Sequence, residues 1–117
     1  GHNAYPSQIE EELNKLPSIA EAVVIGVPDA RSGEAAKAFI RFRPDLPKDE
    51  RPDEAYIRDF LAKSLNKLDI PKTFEVREDE LPKTSIGKPD FKALEEEERI
   101  KRENATQNGN NPAAPSP

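Results

Sequence analysis

The sequence of 117 residues has no cysteine, methionine or tryptophan, and His2 is its single histidine. Without cysteine the fold contains no disulfide and no thiol nucleophile, and this absence mildly favours a cytoplasmic protein. One histidine without a second type of ligand nearby predicts no metal site. No apolar run approaches the roughly 18 residues that a membrane helix needs, and no signal-peptide pattern is present, so we predict no membrane span.

The balance of charged and apolar residues limits the size of the fold. Charged residues make up 35% of the sequence and hydrophobic residues 34%, so we expect one small domain with a modest core. The net charge of −5, with basic residues scattered among acidic ones, predicts that the chain does not bind nucleic acid. The chain starts abruptly inside a recognisable motif, which suggests a fragment of a larger protein.

The first half of the chain predicts a helix followed by a β-hairpin. Ser7 and Glu10 have the spacing of a capping box, and apolar residues recur at helical spacing over about ten residues until Pro17. The apolar stripe of this helix is formed by Ile9, Leu13 and Leu16. Residues 19–27 are rich in β-branched side chains and predict a strand. Residues 37–43 alternate apolar and basic side chains, which predicts a second strand after a turn at residues 31–33.

The second half predicts a helix, a short strand and a last, highly charged helix. Asp53 is the expected N-cap of a helix with a core stripe formed by Ile57, Phe60, Leu61, Leu65 and Leu68. A third strand is expected at residues 73–77. The last helix is expected from Asp90 to about Arg102, with residues 95–98 as a solvated face. Its expected anchors are Phe91, Leu94 and Ile100.

These elements together predict an α+β domain, with a small sheet of about three strands and two to three packed helices. We place the domain at residues 1–102. Residues 103–117 contain mainly Asn, Gly, Ala, Pro and Ser, and we predict that they form a disordered tail.

Residues 81–88, with the sequence LPKTSIGK, form the most informative segment. Pro82 fixes one backbone angle, and Gly87 permits a positive φ, so Lys88 lies on a constrained polar loop. There its ammonium group can be delivered to an anion as a point charge. The alternative is an ordinary solvated lysine, since a Gly-Lys pair alone is weak evidence and the spacing is not that of a Walker loop. We expect the loop to be mobile in the chain alone.

Several segments in a fixed order resemble the small C-terminal subdomain of the adenylate-forming enzymes, from residue 1 to about residue 94. This superfamily comprises acyl- and aryl-CoA synthetases, peptide-synthetase adenylation domains and luciferases. The segments that carry the resemblance are GHNAYP at residues 1–6, IE at 9–10, EAVVIGVPD at 21–29, GE at 33–34, AFI at 38–40, LDIPKTFEV at 68–76 and LPKTSIGK at 81–88.

The resemblance implies an ATP-dependent acyl-CoA synthetase in which this chain is the mobile C-terminal domain. A carboxylic acid attacks the α-phosphate of ATP, and the thiol of CoA then displaces AMP. Mg²⁺ and the nucleotide would be bound mostly by a larger N-terminal domain, the partner of this one. The motif match gives Lys88 the catalytic role in the first step, with Lys83, Thr84 and Gly87 supporting its loop. Lys83 is the competing candidate for the catalytic lysine.

The resemblance also suggests a second site at the start of the chain. Gly1, His2, Asn3 and Ala4 match a segment that lines the channel for the pantetheine arm of CoA in the second step. The alternative for this segment is a short strand with Tyr5 half-buried.

The residues that follow Lys88 bear on the branch of the superfamily. After the lysine, Pro89 and Phe91 depart from the pattern of many members, and they favour bacterial fatty-acyl and related CoA ligases. Two other interpretations remain open, a peptide-synthetase subdomain with a carrier-protein acceptor and an interaction module without catalysis. The sequence does not identify the acid.

Overall fold

A computed structural model places a three-stranded sheet between helices on both of its faces. It describes residues 6–29, 31 and 33–109. Single turns of 3-10 helix lie at Lys48–Glu50 and Lys67–Asp69. The α+β class and the three strands are therefore confirmed. The helices are α1 (Pro6–Leu13), α2 (Glu54–Ala62) and α3 (Phe91–Gly109), and the strands are β1 (Ile19–Asp29), β2 (Gly33–Phe42) and β3 (Thr73–Val76).

The sheet has the strand order β1-β2-β3, with β2 in the centre. β1 and β2 form the predicted antiparallel hairpin, and β3 pairs in parallel with β2 after the crossover that contains α2. Ala38, Phe39 and Ile40 in the middle of β2 have no exposed surface. A strand covered on both faces can be apolar at successive positions rather than at alternate ones, as these three residues are.

Two apolar clusters hold the layers together, one on each face of the sheet. The first joins α1 and α2 to the sheet, with Leu13 and Leu61 fully buried in it. The second is smaller and lies under α3. It is formed by Val23, Ile25, Phe39, Leu81 and Leu94.

The start of α1 differs from the predicted capping box. The helix begins at Pro6, so Ser7 already lies within its first turn. A proline suits the first helical position, because its φ is fixed and its missing N–H would have no partner there. The carboxylate of Glu10 accepts a hydrogen bond from the Val24 amide of β1 at 2.8 Å, so it ties the helix to the sheet. The helix ends at Leu13, earlier than predicted, although Leu16 is still buried.

The predicted core stripe of α2 is wrong at its C-terminal end. Asp53 caps the helix as predicted, accepting from the Tyr56 amide at 2.9 Å. The helix ends at Ala62, and a 3-10 turn follows, so helical spacing no longer applies to the next residues. Leu68 is 85% exposed on that turn, while Leu65 still packs against the first cluster.

The last helix is longer than predicted, and fewer of its apolar residues are buried. It extends to Gly109, so the predicted boundary at residue 102 is too early, and residues 110–117 lie outside the described residues. Phe91 and Ile100 are exposed. The predicted solvated face is wrong for Glu97 and Glu98, which are half-buried. Glu97 pairs with Arg77, the residue after β3, and Glu98 pairs with Lys37 of β2.

Glu75 on β3 lies at the centre of the ion pairs that hold α3 to the sheet. It pairs with Lys37, Arg77 and Lys101 at 2.7–3.0 Å. Burial alone would raise the pKa of Glu75, but hydrogen bonds from these three cations outweigh it and lower that pKa from 4.5 to about 2. Because the folded-state pKa is lowered, this stabilisation is present above pH 4.5 and is lost as the pH falls towards 2.

We therefore expect that Glu75→Gln removes part of the acid sensitivity of the fold. Between pH 5 and 2.5 the free energy of unfolding should fall less for this variant than for the unchanged chain, as measured by urea denaturation at each pH. Glu95→Gln is the control, because Glu95 is an exposed glutamate of α3 that does not take part in the ion pairs of Glu75. Equal acid sensitivity in all three proteins would contradict the expectation.

Candidate functional site

The lysine-bearing segment forms a closed hairpin, here named the lysine hairpin (residues 81–90). The Thr84 amide donates to the Lys88 carbonyl at 2.7 Å, and the Gly87 amide donates to the Thr84 carbonyl at 2.9 Å. Lys83 and Pro89 form an isolated antiparallel bridge, and the Asp90 amide donates to the Pro82 carbonyl at 3.0 Å. These bonds close the backbone of the hairpin on itself. The mobility that we expect of this loop in the chain alone stays a prediction, which backbone relaxation measurements would test.

Gly87 and Thr84 shape the tip of the lysine hairpin. Gly87 has a φ of +83°, in the region that glycine adopts without strain and that other residues avoid. The Thr84 hydroxyl accepts a hydrogen bond from the Lys88 amide at 3.3 Å. Both residues therefore shape the backbone that carries Lys88.

Lys88 presents its side chain to solvent from this hydrogen-bonded backbone. The residue is exposed, and its ammonium group makes no hydrogen bond or ion pair with any residue that the structure describes. Exposed Ile86 precedes it at the tip. A cation without a partner in its own domain keeps its full charge available for a ligand carried by another domain.

Lys83 is held within its own domain by a carboxylate. Its ammonium lies 2.7 Å from Glu21 of β1 and 3.4 Å from the Leu81 carbonyl, and 32% of its side chain is exposed. An ammonium that already has a carboxylate partner is less available for a substrate. The geometry therefore favours Lys88 over Lys83 as the lysine that meets a ligand.

Both ends of the lysine hairpin are anchored in the domain. Leu81 is buried in the second apolar cluster, and its amide donates to the Glu21 carboxylate at 3.2 Å. At the other end Asp90 precedes α3, and its carboxylate accepts from the Ala93 amide at 3.1 Å, which is the geometry of an N-cap. The hairpin is thus fixed between β1 and α3.

Glu21 is the residue of this site that the sequence reading missed. In the sequence it only begins a β-branched run, and its partners lie about sixty positions further along the chain. A contact between residues so far apart in the sequence depends on how the layers pack, and no local sequence pattern predicts it.

The segment that we propose for the pantetheine channel does not belong to the residues that the structure describes. Gly1, His2, Asn3, Ala4 and Tyr5 all lie outside the described residues. Within the described residues no group of three or more His, Cys, Asp or Glu side chains has the arrangement of a metal site. No helix in the same part of the chain is long and apolar enough to cross a membrane.

Comparison with protein families and curated sequences shows the family to which the chain belongs. Residues 8–88 match the model of the AMP-binding enzyme C-terminal domain. The chain is 41% identical over 98 residues to a long-chain-fatty-acid–CoA ligase of Bacillus subtilis. That match covers 84% of this chain and 17% of the ligase, so the chain spans about a sixth of the length of such relatives.

Solved structures show the same arrangement of helices and strands. An acyl-CoA synthetase of Brucella canis matches with a TM-score of 0.72 and 32% identity, over 83% of this chain and 18% of that structure. The amide bond synthetase McbA of Marinactinospora thermotolerans matches with a TM-score of 0.70 and 32% identity, over 79% and 18%.

Proposed function

Because the chain belongs to the family of AMP-binding enzyme C-terminal domains, we propose that it serves as that domain in an ATP-dependent acyl-CoA synthetase. The supporting observation is that Lys88 is exposed on a hydrogen-bonded hairpin and that its ammonium has no partner among the described residues of the domain. A larger N-terminal domain would carry the anionic partner. The similarity to fatty-acid–CoA ligases supports a fatty acid as the carboxylic acid.

Lys88 suits the first half-reaction for electrostatic reasons. An acid carboxylate attacks the α-phosphate of ATP, pyrophosphate leaves, and an acyl-adenylate forms. Two anions approach each other in this step, so a positioned cation lowers the barrier, and it does so most strongly where water is excluded. When the domain meets the N-terminal domain, the Lys88 ammonium would lie against the carboxylate and the phosphoryl oxygens.

Different residues of this chain are proposed to contact ATP and CoA. A free ammonium fits phosphoryl oxygens, so Lys88 is the residue that would contact the nucleotide. Mg²⁺ neutralises the phosphates when bound, and the described residues offer it no cluster of ligands, so we assign it to the N-terminal domain. We propose Gly1, His2, Asn3 and Ala4 for the pantetheine channel on the sequence resemblance alone.

CoA is the proposed acceptor of the acyl group, and a carrier protein is the alternative. The curated CoA ligases that the chain resembles favour CoA. The fold does not decide between acceptors, since an amide bond synthetase shares it with a similar TM-score. A cytoplasmic location agrees with these substrates and stays a prediction from the sequence.

We expect the 117-residue chain to fold and to show no ATP–pyrophosphate exchange by itself. It carries two apolar clusters, but the group that we propose as catalytic is a single exposed lysine, and we assign the binding of the nucleotide mainly to the N-terminal domain. The full-length protein should convert ATP, a fatty acid and CoA to acyl-CoA, AMP and pyrophosphate, as followed by release of labelled pyrophosphate and by mass spectrometry of the thioester.

Two results would count against the proposal. Exchange catalysed by the 117-residue chain alone would show that the site is complete within it. Transfer by the full-length protein to a pantetheinylated carrier protein but not to CoA would favour the peptide-synthetase interpretation.

A further inference from the structure

We infer that Glu21 is a positioning residue that fixes the lysine hairpin to β1 and thereby sets the place from which Lys88 acts. We name the group formed by the Glu21 carboxylate, the Lys83 ammonium and the Leu81 amide the Glu21 clamp. This inference rests on the proposed role of Lys88. It gives Lys83, the other lysine of the motif, a separate task.

A β-bulge turns Glu21 towards the lysine hairpin. The register of β1 against β2 shifts between Ile19, which pairs with Phe42, and Glu21, which pairs with Arg41. Ile19 packs in the first apolar cluster, whereas Val23 and Ile25 pack in the second, although all three occupy odd positions. Side chains of a regular strand alternate between faces, so the extra residue at the bulge moves Glu21 from the face of Ile19 to the face that carries Leu81.

The carboxylate of Glu21 makes a separate contact with each of three donors. Its Oε1 atom accepts from Lys83 Nζ at 2.7 Å, and its Oε2 atom accepts from the Leu81 amide at 3.2 Å. Arg41 Nη1 lies 3.6 Å from Oε2. The carboxylate thus holds both the backbone at the start of the hairpin and a side chain two residues further on.

The clamp differs from an ordinary surface ion pair. Such a pair contributes little to the stability of the fold, because both of its side chains are solvated. The Glu21 side chain is only 18% exposed, and it also satisfies a backbone amide next to the buried Leu81 side chain. Burial alone would raise the pKa of Glu21, but the hydrogen bonds from Lys83 and Leu81 outweigh it, so this pKa lies below its ordinary value. The carboxylate is therefore in its charged form when it holds the hairpin.

The clamp acts on Lys88 through the hydrogen bonds of the hairpin. Lys83 pairs with Pro89 across the hairpin, and the Thr84 amide donates to the Lys88 carbonyl. Loss of the carboxylate would release the stem at Leu81 and Lys83 and allow the tip to shift relative to β1. A displacement of about 1 Å at a catalytic group can cost roughly 10²-fold in rate.

The test compares variants of the full-length enzyme in both half-reactions. Glu21→Gln and Lys83→Met should each lower kcat for ATP–pyrophosphate exchange by about 10- to 100-fold. Lys83→Arg keeps the charge and should restore most of the rate. Acyl transfer to CoA from preformed acyl-adenylate should be unchanged in every variant, because a shifted Lys88 affects only the first step.

Lys15→Met is the matched control. Lys15 lies just after α1 and pairs with Glu12 of that helix at 2.9 Å. The helix packs against the face of the sheet opposite to the hairpin. The rate of ATP–pyrophosphate exchange of the Lys15→Met enzyme should equal that of the unchanged enzyme. Circular dichroism and thermal unfolding of each variant show whether it folds, and a folded Lys83→Met variant suffices for the test if Glu21→Gln does not fold.

Lys88→Ala in the same series separates the two claims. If Lys88→Ala slows exchange while Glu21→Gln and Lys83→Met behave like Lys15→Met, the clamp is wrong and the proposed function stands. Equal losses in both half-reactions for the clamp variants would also overturn the clamp, since they would reflect general damage to the domain. If Lys88→Ala leaves exchange unchanged, the proposed function fails, and the inference about the clamp fails with it.

Discussion

Replacing Lys88 by alanine in the full-length enzyme is expected to lower the rate of acyl-adenylate formation by about 10²–10³, or roughly 2.7–4 kcal/mol in activation free energy. This magnitude is that of losing one positioned donor at a developing negative charge. The loss should appear in kcat, because the ammonium stabilises the transition state more than it holds either substrate. Initial rates of ATP–pyrophosphate exchange at saturating ATP and acid measure it.

Two lysines near Lys88 provide controls for this substitution. Lys92→Ala removes an exposed cation from the first turn of α3 and should leave exchange unchanged. Lys83→Ala should lower the rate of ATP–pyrophosphate exchange less than Lys88→Ala does, because it displaces the proposed catalytic cation without removing it. A larger loss for Lys83→Ala than for Lys88→Ala would reverse the assignment of the two lysines.

Replacing Leu94 by alanine is expected to lower the free energy of unfolding of the 117-residue chain by about 2–5 kcal/mol. Among the described side chains of α3, Leu94 alone is fully buried, and it packs with Leu81 and Phe39 in the second apolar cluster. That cluster is small, so a cavity there removes a large share of the apolar contacts that join α3 and the lysine hairpin to the sheet. Urea denaturation followed by circular dichroism measures the change.

Ile100→Ala is the control for the Leu94 substitution on the same helix. Ile100 is 44% exposed, and an exposed substitution usually changes stability by about 0.5 kcal/mol or less. If Ile100→Ala destabilises the chain as much as Leu94→Ala, α3 is not anchored as the structure places it.

The layout of the domain could be predicted from local pattern, whereas several of its boundaries could not. The β-branched run of β1 and the alternation in β2 identify the hairpin, and Asp53 identifies the start of α2. Leu68 shows where periodicity misleads, because the chain leaves the helix at Ala62 and apolar spacing beyond that point no longer defines one face.

The candidate site could be predicted from the sequence only where its residues are close together in the chain. Lys88 lies in a contiguous motif with a proline and a glycine, so its loop can be recognised in the sequence. The partners of Lys83 and Leu81 depend on a β-bulge some sixty residues earlier, which turns Glu21 to the correct face. Long-range packing decides such contacts, and it also distinguishes the paired Lys83 from the unpaired Lys88 within the described part of the chain.

A single-turnover comparison of the two half-reactions in the Lys88→Ala enzyme tests the central claim most directly. Rapid-quench measurement would follow acyl-adenylate formation from ATP and acid, and separately acyl transfer to CoA from preformed acyl-adenylate. The proposal predicts that the first rate falls by about 10²–10³ while the second equals that of the unchanged enzyme. Equal losses in both rates, or no loss in the first, would contradict it.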